Sequence, residues 1–196
     1  MKYIIVIIAC FSVLFSCVKH RDIPYKYNDQ AAHLNADTIK PGILVINEFT
    51  PKGKVDTNEF NNLGKWFEIY NLSDKDRVID TNFFITDSLG WPDKFQVKLM
   101  GQQPIIPARG FLVVWCDNND TIPNNKHIHT SFSLSSAGGD IGLSYRNSGG
   151  HLFFVDSTKY SDYSLAVKGI SIGRFPDGTN GFKQLLMRTP DKPNEY

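Results

Sequence analysis

The chain has 196 residues, and its 21 basic and 20 acidic side chains are interspersed, so the net charge is +1. This balance provides no basic stripe for a phosphate backbone, and we therefore expect no nucleic-acid partner. The length beyond a short leader suits one domain of roughly 150 residues, which can be stabilised by burial alone.

The N-terminus has the features of a secretory signal. A basic start is followed by an apolar run over residues 4–15, which is shorter than the roughly 20 residues of an ordinary membrane-spanning helix. The end of this run, Leu14-Phe15-Ser16-Cys17, resembles a bacterial lipobox. That resemblance implies cleavage before Cys17 and a lipid on Cys17, which would anchor the chain to a membrane. A plain signal peptide, or an uncleaved anchor in which Cys17 is incidental, is the alternative.

We therefore predict a signal peptide over residues 1–16 and a lipidated Cys17 that begins a flexible tether over 17–40. The tether is polar and without periodicity, and it includes Pro24. The expected location is the bacterial cell envelope, at the outer membrane. The residues directly after Cys17 are mainly basic, and they leave open which side of that membrane the protein occupies.

Residues 41–196 carry short apolar or alternating segments separated by polar turns. Extended segments are predicted over 43–49, 66–72, 77–86, 94–99, 111–116, 128–134, 141–145, 152–155 and 170–175. No segment shows a long apolar repeat of 3.6 residues. Many short strands with frequent turn signals indicate one all-β sandwich domain.

The segment over residues 66–72 is predicted to be a central strand, because it is large and mostly apolar on both sides. Glu68 lies between Phe67 and Ile69 in this strand. A buried carboxylate without donors is very costly, so we expect backbone N–H groups or a basic side chain to satisfy it. Arg174 is the preferred basic partner.

Several short motifs, taken in order, resemble the lamin tail domain family. They comprise residues 46–49, 66–71, 107–114, 132–135, 138–140, 155–157 and 171–178, with Thr189-Pro190 and Asn194 at the end. A glycine usually follows that proline in the family, and Asp191 stands there in this chain. The resemblance spans about residues 43–194 and implies an immunoglobulin-like β-sandwich. In bacteria such modules accompany secreted and membrane-associated proteins, often beside hydrolases, and are themselves regarded as non-catalytic interaction domains.

Two carboxylates, Glu48 and Glu68, lie in the two strands that best match the family. We interpret them as structural groups that cap backbone turns or pair with a base. The alternatives are a pair for acid–base chemistry or for a cation such as calcium.

His127 and His129 are two residues apart, so they would face the same way on a strand. We interpret them as solvent-facing, since no further metal ligand can be identified by spacing. We predict no catalytic residue, no metal ion and no cofactor. The alternative from another class is a metal-dependent hydrolase of nucleic acids or phosphoesters, or an accessory domain of one, using Glu48, Glu68 and both histidines.

Trp91 is the candidate binding residue, because it stands in a turn beside Pro92. An exposed tryptophan can stack on a sugar or anchor a protein, and it can also simply cover the end of a sandwich. The expected partner is an envelope protein or a glycan. Trp66 and Trp115 are predicted to be core residues, and Cys116 to be a buried, inert thiol.

Overall fold

The structure, a computed structural model, describes residues 39–50, 52, 56–98, 103–120, 127–161 and 169–196. Over these residues the fold is all-β, with thirteen strands and no helix. The predicted signal peptide and the predicted lipidation site, Cys17, lie outside the described residues, as does nearly all of the predicted tether. None of the described residues belongs to a helix long and apolar enough to cross a membrane.

The strands form three sheets. Their bounds are β1 Leu44–Phe49, β2 Asp56–Thr57, β3 Leu63–Asn71, β4 Arg77–Val78, β5 Phe83–Thr86, β6 Phe95–Gln96, β7 Ile105–Ile106, β8 Phe111–Cys116, β9 Ile128–His129, β10 Gly138–Arg146, β11 Leu152–Ser161, β12 Ser171–Arg174 and β13 Phe182–Leu185. The large sheet has the order β13-β12-β1-β3-β8-β9, with β2 also paired to β3. A second sheet has the order β11-β10-β5-β6, and β4 pairs with β7.

The strand β3 lies in the interior of the large sheet, between β1 and β8, and both pairings are antiparallel. This is the central position that its apolar composition predicts. The register of β1 shifts between Ile46 and Glu48, and it places Glu48 directly opposite Glu68. A shift of this kind marks a β-bulge, which re-aims the side chains that follow it.

One apolar core draws on both larger sheets. It includes Leu44 and Ile46 of β1, Phe67 and Ile69 of β3, Leu112 and Val114 of β8, Ile85 of β5, Ile141 and Leu143 of β10, and Val155 of β11. Alternate residues of the large sheet thus face the second sheet, which is the arrangement of two sheets packed face to face. The architecture is consistent with a β-sandwich.

The opposite face of the large sheet, which we call the outer face, is also covered. The residues of β3 and β8 that alternate with the core residues form a small separate cluster of Trp66, Val113 and Trp115. Glu68 shares this side of β3 with Trp66 because side chains alternate along a strand. All four side chains are at most 4% exposed, so another part of the chain must lie over them.

Candidate functional site

The part of the chain bonded to the outer face is its C-terminal segment, residues 188–194, which we call the C-terminal strap. Arg188 begins it, and its Nε lies 2.9 and 3.0 Å from the two carboxylate oxygens of Asp56. The same Asp56 accepts a hydrogen bond of 2.7 Å from the indole N–H of Trp66. The first residue of the strap is therefore fastened to β2 and, through Asp56, to the central strand.

Glu48 holds the next residue of the strap. Its carboxylate is fully buried and accepts the backbone N–H of Thr189 at 3.2 Å and the Thr189 hydroxyl at 2.8 Å. Burial raises the pKa of Glu48 above its ordinary value, against the effect of hydrogen bonds from Ser171 and Thr189. Glu48 thus binds a turn of backbone, which is the structural role predicted for it.

Glu68 holds the strap two residues further on. It is fully buried, and it accepts the backbone N–H of Asp191 at 2.7 Å and the amide of Asn47 at 3.4 Å. Burial and then the neighbouring charge of Glu48 raise the pKa of Glu68 well above its ordinary value. The burial and the backbone donor are as predicted.

The predicted partnership of Glu68 with Arg174 is wrong. Arg174 instead donates to the carbonyl of Ile46 at 2.7 Å and to the carbonyl of Thr179 at 2.8 Å. Its remaining nitrogen lies 3.1 Å from Asp156, whose same oxygen accepts the Ile46 N–H at 2.8 Å. Arg174 and Asp156 together bond the backbone of Ile46, where β1 changes register. The guanidinium therefore stabilises that bulge and does not pair with Glu68.

The end of the strap is held by Asn194, which is buried. Its backbone N–H donates to Asp177 at 3.0 Å, and its amide donates to the carbonyl of Arg174 at 2.7 Å. Asp177 also accepts the side-chain amide of Asn47 at 2.9 Å. These bonds connect the strap to β1 and to the turn that follows β12.

A second group of ionisable side chains lies beside the strap, and the predicted solvent exposure of its two histidines is wrong. His127 and His129 are 9% and 4% exposed. Glu59 bridges them, with one oxygen 3.2 Å from His127 Nδ1 and the other 3.2 Å from His129 Nε2. The outer nitrogens face Asp191 at 3.0 Å and Asp117 at 2.8 Å. Each imidazole thus stands between two carboxylates.

In this histidine cluster, formed by these five side chains, the charges of His127 and its two carboxylate neighbours stabilise one another. Burial alone would lower the pKa of His127, but the hydrogen bond and charge of Asp191, with the charge of Glu59, raise it. Burial would raise the pKa of Glu59, but a hydrogen bond from its own backbone and its interactions with the two histidines lower that pKa. A protonated His127 between two carboxylates is the state that this arrangement favours.

The histidine cluster borders a groove of about 360 Å³ whose lining includes Thr57, Glu59, Trp115, His127 and Asp191. Among the described residues, no three His, Cys, Asp or Glu side chains form a group that could hold a metal ion. The sequence offers four candidate residues for a metal-dependent hydrolase. Glu48 and Glu68 are direct partners on the adjacent strands β1 and β3, whereas His127 and His129 belong to the histidine cluster. Asp191 connects the two groups, through its N–H and its carboxylate.

The remaining residues singled out by sequence fall into two sets. Trp91 is 58% exposed at a turn closed by the bond from its N–H to the Ser88 carbonyl, and it does not line the groove. Trp66, Trp115 and Cys116 are buried, as predicted, and burial raises the pKa of the Cys116 thiol far above its ordinary value.

Three acidic members of the histidine cluster, Glu59, Asp117 and Asp191, escaped sequence analysis because each stands in a polar loop. The sequence did contain a signal for one of the three, Asp191. Asp191 occupies the position where the family resemblance expects glycine, and its φ of 61° lies in the left-handed region that glycine favours. Aspartate tolerates this conformation better than most residues, and its side chain adds the contact to His127.

Comparisons with protein-family models and with curated proteins find no match for this chain.

Proposed function

We propose that this protein is a lipid-anchored component of a bacterial cell envelope, carried by lipid on Cys17. Its domain would be an immunoglobulin-like sandwich of the lamin tail type that acts as a non-catalytic binding or structural module. The partner would be an envelope protein or a glycan, and no nucleic acid is expected.

The observation that supports this proposal best is the network around the strap. The motifs that resemble the lamin tail family are far apart in sequence, yet members of five of them meet in this network: Asn47 and Glu48, Glu68, Asp156, Arg174 with Asp177, and Thr189 with Asn194. They contact one another through hydrogen bonds that fasten β1, β12 and the strap. The residues that carry the resemblance therefore act together in one structural network, which supports the proposed likeness.

The chemistry of the same network supports a non-catalytic role. Glu48 and Glu68 each accept a backbone N–H of the strap, and both histidines are enclosed by carboxylates. The side chains most suited to acid–base catalysis, the two glutamates and the two histidines, thus bond other parts of the fold to one another. The raised thiol pKa of buried Cys116 is likewise unfavourable for a nucleophile.

Labelling with palmitate tests the anchor. The full-length chain, expressed in a bacterial host, should incorporate labelled palmitate and partition with membranes, and Cys17→Ala should lose both properties. Cys10→Ala is the matched control, because Cys10 lies inside the apolar run and is predicted to be removed. Label that persists in Cys17→Ala would contradict the anchor.

Cross-linking in envelope extract tests the binding module. The lipidated wild-type protein should capture a partner or a glycan, and Trp91→Ala should weaken that capture. Tyr196→Ala is the control, since Tyr196 is an aromatic residue that is 75% exposed elsewhere. If both variants capture the partner equally well, Trp91 is not part of the binding surface.

A further inference from the structure

Hydrogen bonds and an ion pair fasten the C-terminal strap at Arg188, Thr189, Asp191 and Asn194. Only Thr189 and Asn194 within it are buried, and both are polar. The two residues directly before the strap, Leu186 and Met187, are 77% and 58% exposed, so apolar burial contributes little there as well. The attachment of such a segment depends on hydrogen bonds and charges, and charges depend on pH.

The first ionisable attachment is the pair of Glu48 and Glu68. The two residues are direct partners across antiparallel strands, where side chains on one face lie roughly 5 Å apart at Cβ. Both are fully buried, and like charges at this position repel. With the strap in place, its donors at Thr189 and Asp191 favour the ionised carboxylates, but burial and this repulsion outweigh them and favour a proton on the pair. With the strap detached, water would reach both carboxylates and that preference would fade.

The second ionisable attachment is His127, which contacts the Asp191 carboxylate at 3.0 Å. The imidazolium is stabilised by Asp191 and Glu59 while the strap is in place, and it loses the Asp191 contact when the strap leaves. Proton binding at His127 and proton binding at the carboxylate pair therefore both favour the state in which the strap is in place. By linkage, protons stabilise the state that binds them more tightly.

Other charged groups face these attachments from every neighbouring element. They are Asp56 on β2 with Arg188 on the strap, Arg174 on β12 with Asp156 on β11, Asp117 and His129 on the far side of Glu59, and Asp177 beside Asn47. Arg188 is paired with Asp56, so it does not neutralise the two glutamates directly. The acidic groups thus outnumber the basic ones around the strap, which adds to the preference for bound protons.

From this arrangement we propose that the C-terminal strap is a proton-controlled latch, closed over the outer face in mild acid and released as the pH rises. Release uncovers Glu48 and Glu68 and removes Asp191 from the lining of the groove beside His127. The latch depends on the strap contacts alone and not on the lipid anchor or on any binding partner.

Hydrogen–deuterium exchange tests the latch on the full-length chain in detergent. The amides of Thr189 and Asp191 are the reporters, because each donates directly to one of the two glutamates. After correction for intrinsic exchange rates, their protection should fall as the pH rises through the raised pKa values of the two glutamates and of His127. Each group that loses its proton can account for up to about a tenfold fall per pH unit. Amides of β3 and β8 should keep their protection over the same range.

Two variants connect that fall to the proposed groups. Glu68→Gln and His127→Gln should each make the pH dependence shallower, whereas His151→Gln, at an exposed histidine of the β10–β11 turn, should leave it unchanged. Amides of β3 and β8 that lose protection in either variant would show misfolding, in which case the wild-type profile decides. Wild-type protection that does not change with pH, or an unchanged profile in both folded variants, would overturn the latch.

Discussion

The two faces of the large sheet are both buried, but they are buried by different means. On the inner face, apolar side chains such as Phe67 and Leu112 pack against the second sheet. On the outer face, Glu48 and Glu68 are just as inaccessible, and donors 141 and 123 residues away along the chain satisfy them. The inner face is stabilised by removing apolar surface from water, and the two buried glutamates of the outer face by donors matched to their carboxylates.

This difference predicts unequal responses to mutation and to pH. The inner face should respond strongly to loss of volume and be insensitive to pH. The two glutamates of the outer face should respond less to loss of volume, because they act through directional bonds, and their contribution should change with protonation. Variants on each face, measured under the same conditions, can separate the two means of stabilisation.

Truncation of a core residue should have the largest effect. Leu112→Ala removes a buried side chain from the inner face, and substitutions of this kind cost about 2–5 kcal/mol of unfolding free energy. Leu186→Ala is the matched control, since Leu186 is 77% exposed and should change stability by no more than about 0.5 kcal/mol. Urea denaturation at one pH measures both, and equal losses would show that the inner face is misassigned.

Removal of the guanidinium at the bulge should come next. Arg174→Met keeps the length of the side chain but leaves the Ile46 carbonyl without its guanidinium donor and Asp156 without its ion-pair partner. Bonds to charged groups contribute about 1.5–3 kcal/mol, so we expect a loss of about 2–3 kcal/mol by the same assay. Lys183→Met, at an exposed position on β13, is the control for removing a positive charge, and a similar loss there would refute the specific role of Arg174.

Loss of one strap bond should cost less. Thr189→Ala removes the hydroxyl that donates to Glu48 at 2.8 Å and leaves the backbone N–H in place, so we expect a loss of about 1–2 kcal/mol. Thr179→Ala removes an exposed hydroxyl and should be nearly neutral. If the two threonine variants unfold at the same urea concentration, Glu48 does not stabilise the fold through the strap.

The smallest effect at a single pH, and the most informative across pH, concerns Glu68→Gln. A neutral side chain keeps an acceptor for the Asp191 N–H and removes the repulsion with Glu48, so we expect a change below about 1 kcal/mol near pH 6. Because the pKa of Glu68 is raised in the folded state, its contribution to stability is fully present below pH 4.5 and is lost as pH rises through the folded pKa. His127, whose pKa is also raised, contributes fully below its unfolded value and loses its contribution as pH rises.

Wild-type stability should therefore decline as the pH rises from 4.5 through the raised pKa of Glu68, and the variant should decline less. Glu59 works in the opposite direction at low pH, since its lowered pKa gives a contribution that is lost as pH falls. Urea denaturation over this range measures both trends. A variant that becomes progressively less stable than wild type as the pH rises would contradict a raised pKa for Glu68.

The inner face could be predicted from sequence because its signal is local. Alternation in residues 66–72 and the apolar run at 111–116 specify which side chains are buried and that β3 is central. The all-β class follows from the same patterns. The burial pattern and the all-β class can both be predicted without knowing which segments, distant in sequence, pack against these strands.

The outer face could be predicted only in part. The burial of Glu68 follows from its apolar neighbours, and so does its need for donors. Its donor is a backbone N–H of Asp191, and no local pattern identifies a loop residue 123 positions away. Arg174 is a chemically reasonable partner, but the bulge in β1 engages it instead. The burial of the histidines is unpredictable for the same reason, since the carboxylates around them come from three separate loops.

The central claim is that Glu68 is a buried carboxylate whose proton is held by burial and by Glu48. A ¹³C NMR titration of the side-chain carboxyl of Glu68, in the full-length protein, tests it directly, with Glu68→Gln to assign the resonance and exposed Glu195 as the internal control. We expect the Glu68 resonance to shift at a pH well above 4.5, the ordinary value for a glutamate. A transition at or below that value would show that the outer face holds two charged carboxylates and that this pair has no proton to release when the latch opens.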